Sequence, residues 1–148
     1  MPLYLNAVDL IRDNFKEIEC GNKPKGVAIG ELTGEQLEKI NMVRAAHLPP
    51  LPPIVAEVIF YGKHMYRSRV SRDGYTVEDV IDQIVSAMDS GSVFVHNPTM
   101  TILQNQTGRS DRYGNVVRDL AVFECTARHP RPELFSVMPK GDAIKPKK

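Results

Sequence analysis

The sequence is poor in the features that announce most functions. It has no tryptophan and two cysteines, Cys20 and Cys125. Two cysteines this far apart make no disulfide framework, and no Cys-x-x-Cys spacing offers a zinc site. Two reduced thiols in a cytosolic protein are the expectation. Charge of one sign is also lacking. There are 19 Lys and Arg against 18 Asp and Glu, a net +1. Bulk charge therefore points to neither a nucleic-acid nor a membrane surface, and any such role must come from local clustering. No stretch approaches the roughly 20 apolar residues of a membrane span. The opening residues Met1-Pro2-Leu3-Tyr4-Leu5-Asn6 lack the basic start and apolar run of a cleaved signal. A cytoplasmic protein with no membrane partner is expected, with export by a route that needs no cleaved signal left open.

The common catalytic signatures are missing as well. No Walker loop, dinucleotide fingerprint, Gly-x-Ser-x-Gly elbow or His-Glu-x-x-His helix is present. The four histidines, His47, His64, His96 and His129, are scattered and show no metal-ligand spacing. Neither a cofactor nor a metal is expected.

What is present fits one domain. A chain of 148 residues buries enough apolar surface to hold a core without staples. Residues 1–48 read as a helical part, 49–53 as a proline-rich spacer, 54–140 as an α+β core and 141–148 as a polar tail. Three helices share one kind of start. Asn6, Thr33 and Thr76 are cap residues, followed three positions later by Asp9, Gln36 and Asp79. Each follows an apolar residue able to staple the first turn: Leu5 on Leu10, Leu32 on Leu37 and Tyr75 on Val80. Apolar stripes at helical period follow: Val8, Ile11, Phe15 and Ile18; Leu37, Ile40 and Val43; Val77, Val80, Ile81, Ile84, Val85 and Met88. Gly91 is a plausible stop for the third helix.

Residues 21–26 read as a loop. The four prolines of Pro49-Pro50-Leu51-Pro52-Pro53 exclude a helix; the run is a stiff spacer or a ligand for a proline-reading module. Strands are expected over 55–61, 92–96, 100–104, 116–127, with a polar break at Arg118-Asp119, and 134–138, with 128–133 as a hairpin connection. Helices first and most strands last predict an α+β fold, N-terminal helices packed on an antiparallel β-sheet.

One segment stands out for chemistry: Lys63-His64-Met65-Tyr66-Arg67-Ser68-Arg69, between a strand and the best helix. Histidine can take and give a proton near neutral pH. Arginine clamps a phosphate with two parallel bonds. Together they suffice for cleaving RNA, which carries its own 2′-hydroxyl nucleophile, without a metal. A basic run beside a strand is more often a solvated surface, and that reading stands next to this one. A second basic region, Thr107 to Asn115, holds Arg112 and Tyr113, which could track a backbone and stack on a base; a plain hairpin loop is the bland alternative. Ser136 and Lys140 on the last strand, and Thr126 on its neighbour, are further polar candidates for a cleft.

The order of these parts resembles the barnase–EndoU–colicin–RelE superfamily of metal-independent ribonuclease toxin domains. The likeness rests on the strand Val58-Ile59-Phe60-Tyr61 leading into Gly62-Lys63-His64-Met65-Tyr66-Arg67-Ser68-Arg69, the helix from Thr76, the short strands 93–96 and 120–126, and the final strand with Leu134-Phe135-Ser136. It covers residues 54–140. The resemblance implies a toxin-type endoribonuclease that leaves a 2′,3′-cyclic phosphate. His64 would be general base or acid, Arg67 and Arg69 would hold the scissile phosphate and Ser136 would orient it. Lys63, Arg112, Tyr113, Thr126 and Lys140 would bind RNA. The partners implied are RNA, tRNA included, and a cognate inhibitor protein. Many relatives carry a second catalytic His or Lys; here Arg67, Arg69 and Lys140 are the candidates. The near-neutral charge and the proline run support a second reading, a non-catalytic interaction protein such as an immunity protein, adaptor or phage accessory protein; a nucleic-acid-binding module without catalysis is a third.

Overall fold

The structure, a computed structural model, describes residues 3–44, 57–89, 92–97, 100–124 and 132–141, with backbone alone for 43–44 and 92–97. The proline run, Gly91, Thr126, most of the 128–133 connection and residues 142–148 lie outside the described residues.

The three expected helices form where their caps place them: α1 (Ala7–Glu19), α2 (Gly34–Arg44) and α4 (Val77–Asp89). Two of the three starts close as reciprocal boxes. The Thr33 N–H donates to Gln36 Oε1 at 2.9 Å and the Gln36 N–H donates to Thr33 Oγ1 at 3.2 Å. Thr76 and Asp79 exchange the same pair at 2.9 and 3.1 Å, so a shorter carboxylate does the work of Glu here. The first start differs. Asn6 makes no side-chain cap bond, and Leu5 is fully exposed, so no staple forms. Tyr4 ties this end down instead. Its N–H donates to Ile29 O, and its hydroxyl reaches Glu57 at 2.6 Å and Glu31 at 3.1 Å. Those two carboxylates push the phenol far above its ordinary range: the bond to Glu57 is the main cause, followed by burial and by Glu31.

The class is α+β, as the order of elements implied. Seven strands are described: β1 (Val27–Glu31), β2 (Glu57–Phe60), β3 (Ser92–Asn97), β4 (Met100–Gln104), β5 (Arg109–Ser110), β6 (Val116–Glu124) and β7 (Glu133–Lys140). The sheet runs β1-β2-β7-β6-β4-β3, with β5 on the start of β6. Every junction is antiparallel except β2 with β7, which run parallel through Ile59 and Glu133. That single parallel junction makes the sheet mixed. It also brings the start of the last strand beside the end of β2.

Two elements depart from the expected series. Strand β1 sits between α1 and α2, in a stretch too short and too interrupted by Gly30 to read as a strand. Gly30 falls at the register shift against β2 and also bridges to Leu3. The basic segment, placed by sequence only between a strand and a helix, is itself helical. The short α3 (Lys63–Met65) continues as a π-helix over Tyr66–Arg72. Met65 is fully buried, and Tyr66 and Val70 pack against the core. An apolar inner face was hidden among the cations. Wide π turns are rare and frequently occur at functional sites. The expected break in β6 at Arg118-Asp119 does not occur either. Asp119 is fully buried and accepts from Arg109 Nε and Nη2 at 2.5 and 3.1 Å.

The core gathers α1, α4 and the 63–72 helix against the sheet. Helix α4 lies along β4, β6 and β7, α1 packs on β1 and α4, and α3 meets β7. Phe15 of α1 meets Phe60 of β2 edge-on, with centroids 5.4 Å apart. Ile11, Phe15, Phe60 and Met65 have no exposed surface; burying such side chains contributes about 1.5–3 kcal/mol each. No described helix is long and apolar enough to cross a membrane.

Candidate functional site

Strand β2 ends at Phe60, and the chain turns at Gly62 into the helix that carries His64. Gly62 sits at φ +80°, a left-handed conformation that favours glycine. A Cβ there would also collide with Asn14 Oδ1 of α1 and press on the Phe60 ring. Glycine is therefore required twice, and the requirement fixes where the helix starts. His64 falls in its first turn and Arg67 one turn on. The parallel β2–β7 junction supplies the opposite wall. The result is an open cleft of about 300 Å³ lined by Tyr61, Gly62, Lys63, His64 and Arg67 on one side and Glu133, Leu134 and Phe135 on the other.

The His64 ring lies flat on Phe135, with centroids 4.2 Å apart and an interplanar angle of 13°. Its Nε2 is 3.4 Å from Ser68 Oγ. Partial burial of the ring, followed by the charges of Arg69, Arg67 and Arg72, holds its pKa below the ordinary 6.5. At neutral pH the imidazole is thus uncharged and able to accept a proton. Lys63 and Arg67 are exposed on the same cleft, where they can meet an anion. Glu133 is the single carboxylate among the lining residues. The cleft keeps a positive balance even with His64 neutral.

The other expected site residues are placed elsewhere. Arg69 turns inward: its side chain is 11% exposed, and Nη1 binds Asp73 at 2.6 Å. It braces the π-helix instead of facing the cleft, because residues 64, 67 and 68 share one side of the helix and 69 falls on another. Its charge still acts on His64 through space. Ser136 follows Phe135 at the bulge where β7 slips against β6; it pairs with Val122, is buried, and does not line the cleft. Lys140 ends the eight-residue β7, about 20 Å along the strand from Glu133.

Arg112 and Tyr113 meet at a different site. Tyr113 donates its hydroxyl to Asp79 at 2.7 Å, and Arg112 Nε pairs with Asp79 at 2.9 Å. Arg112 Nη2 also donates to the Tyr113 hydroxyl at 2.8 Å. The small cleft there is bordered by Asp79, Asp82 and Asp111, which repel a phosphate. These residues latch the 111–115 turn onto the start of α4. Thr126 lies outside the described residues. So do His47 and His129, and the side chain of His96. Among the described residues, no group of three His, Cys, Asp or Glu side chains is placed to hold a metal.

Three residues of the cleft were not among the expected site residues: Tyr61, Glu133 and Phe135. The last two belong to a strand that begins more than 65 positions after His64, and only the parallel pairing brings them across. Comparison of the chain with protein-family models, with curated proteins and with solved structures gave no match.

Proposed function

We propose that the chain is an endoribonuclease that needs no metal, cutting RNA by attack of a ribose 2′-hydroxyl on the adjacent phosphate. The observation that carries this reading is the His64–Phe135 cleft. It holds a neutral imidazole able to take a proton and two exposed cations able to hold a phosphate, against one carboxylate, Glu133. Neutral His64 takes the 2′-hydroxyl proton. The 2′-oxygen forms its bond to phosphorus, and Arg67 and Lys63 offset the added negative charge on the phosphate oxygens. The bond from phosphorus to the 5′-oxygen breaks. That oxygen leaves as an alcohol, taking a proton from the Lys63 ammonium. The product is a 2′,3′-cyclic phosphate; His64 then gives its proton to solvent and Lys63 takes one from it, which restores both groups. On this reading Arg69 shapes the helix and contributes charge at a distance, and the latch residues Arg112 and Tyr113 take no part in cleavage. The RNA targets would include tRNA, and a cognate inhibitor protein would cover the cleft in the producing cell.

The test is incubation of the purified protein with total RNA and with tRNA in excess chelator, beside His64→Ala. Cleavage to cyclic-phosphate ends by the wild type and not by the variant is expected. Equal cutting by both, or none by either, would sink the reading. A Glu133→Gln variant bears on the assignment of the base: cleavage should persist, because Glu133 carries no proton in the scheme.

A further inference from the structure

A second cleft adjoins the first. Its volume is about 360 Å³, and it is lined by the loop after α1, including Lys23 and Pro24, by Ile18, and by Tyr61 and Lys63. Tyr61 and Lys63 border both clefts, so the two lie side by side at the end of β2. Their chemistry differs. The first is cationic and holds the candidate proton acceptor. The second is walled by the faces of Ile18, Pro24 and Tyr61, with a lysine at either side and no carboxylate among its lining residues.

Tyr61 is 44% exposed although it is a large aromatic residue. Its ring is nonetheless held in place. It lies so close over Gly26 that a Cβ there would come within 2.6 Å of Tyr61 Cε1 and 2.8 Å of Ile59 Cγ2. The glycine therefore lets the ring lie against the backbone. A fixed, half-exposed aromatic beside a cationic cleft is the arrangement that single-stranded nucleic acids use: bases stack on rings while cations follow the phosphates. The third cleft also holds Tyr75, Tyr113, Arg109 and Arg112, but both arginines are paired, with Asp119 and Asp79, and Asp82 and Asp111 border it as well.

We infer that the cleft formed by Ile18, Pro24 and Tyr61 is a nucleobase subsite for single-stranded RNA, stacking a base next to the phosphate held at Lys63, His64 and Arg67. This rests on the ribonuclease reading for the position of the phosphate, but the base contact is readable without cleavage. Lys23 meets the next phosphate along the chain. A base-paired strand cannot offer its base to the pocket, so the site selects unpaired RNA.

The protein lacks tryptophan, so 2-aminopurine in an oligonucleotide reports stacking without interference. The experiment uses short 2′-O-methyl RNA, which has no nucleophile, with 2-aminopurine at one position at a time. Quenching and binding should occur for single strands and be lost in a duplex. Tyr61→Ala should weaken binding about tenfold or more and abolish the quenching at one position, whereas Tyr61→Phe should keep both. Lys23→Glu, a change on an exposed loop, should weaken binding without removing the quenching at saturation. Absence of quenching in the wild type overturns the inference, as does an unchanged signal in folded Tyr61→Ala. If stacking depends on Tyr61 but no RNA is cut, the subsite stands and the catalytic reading falls. If His64-dependent cutting persists with no role for Tyr61, the reverse holds.

Discussion

The Asp79 latch provides the sharpest test of how the residues divide between structure and function. Asp79 is almost fully buried at the start of α4. Its carboxylate accepts from the Thr76 N–H at 2.9 Å and from the Tyr113 hydroxyl at 2.7 Å, and it pairs with Arg112 at 2.9 Å. Replacing it by alanine removes a helix cap worth about 1 kcal/mol. It also removes a hydrogen bond to a charged acceptor, about 1.5–3 kcal/mol in general and at the low end here because Tyr113 is half exposed. The ion pair to the exposed Arg112 adds little, because solvent screens it. Asp79→Ala should therefore cost about 3 kcal/mol, which lowers the melting temperature of a chain this size by about 6–12 °C. The pH dependence follows. Burial pushes the carboxyl up, but the Thr76 and Tyr113 bonds and the Arg112 charge outweigh it, so the folded pKa lies below the ordinary value. The unfolded state then binds more protons. The contribution is complete above the unfolded pKa of about 3.9 and is lost as pH falls through the lower folded value. Thermal melts should show the full gap between wild type and Asp79→Ala at pH 7, narrowing below about pH 4. Arg112→Ala and Tyr113→Ala should likewise lose stability and leave the KM for RNA unchanged. A Tm loss under 2 °C for Asp79→Ala would refute the latch. A raised KM in either of the other variants would return Arg112 and Tyr113 to the RNA-binding surface.

The remaining predictions concern the His64 cleft. His64→Ala should lower the cleavage rate by about 10²–10⁴-fold, the usual contribution of a positioned base, with a circular dichroism spectrum like that of the wild type; a loss below threefold would remove His64 from the mechanism. An NMR titration of the His64 ring should give a midpoint below 6.5, moving upward in Arg67→Ala because a neighbouring positive charge is removed. A midpoint above 6.5 in the wild type would contradict the proton-acceptor role. Because the folded value is depressed, His64 should also cost stability as pH falls from about 6.5 through that midpoint, which urea melts of wild type and His64→Ala can compare. Gly62→Ala should destabilise by about 1–3 kcal/mol from its left-handed backbone, plus the collision with Asn14, and should lower cleavage by moving His64. Wild-type melting and activity for this variant would mean that the turn is not a fixed support.

Much of this protein was determined by local chemistry and so was legible in the sequence. Thr33 with Gln36 and Thr76 with Asp79 start their helices through bonds within four residues, and the stripes of Ile11 and Phe15, or of Val80 and Ile84, are buried as their periodicity implies. The α+β class followed from the order of such elements, and the Lys63–Arg69 segment drew attention by composition alone. Local bonds also proved insufficient at Asn6, where Tyr4 reaches across to Glu57 and secures the helix that its cap does not. The tertiary structure decided the rest. Nothing local distinguishes Arg67, which faces the cleft, from Arg69, which pairs inward with Asp73, because their difference is set by the turn of a π-helix packed through Met65 on the core. Nothing local joins Arg112 and Tyr113 to Asp79. Above all, Glu133 and Phe135 face His64 only because β7 enters the sheet parallel to β2. Strand pairing over such a separation is fixed by the burial of whole faces against α4 and α1, a property that no short stretch of sequence carries by itself.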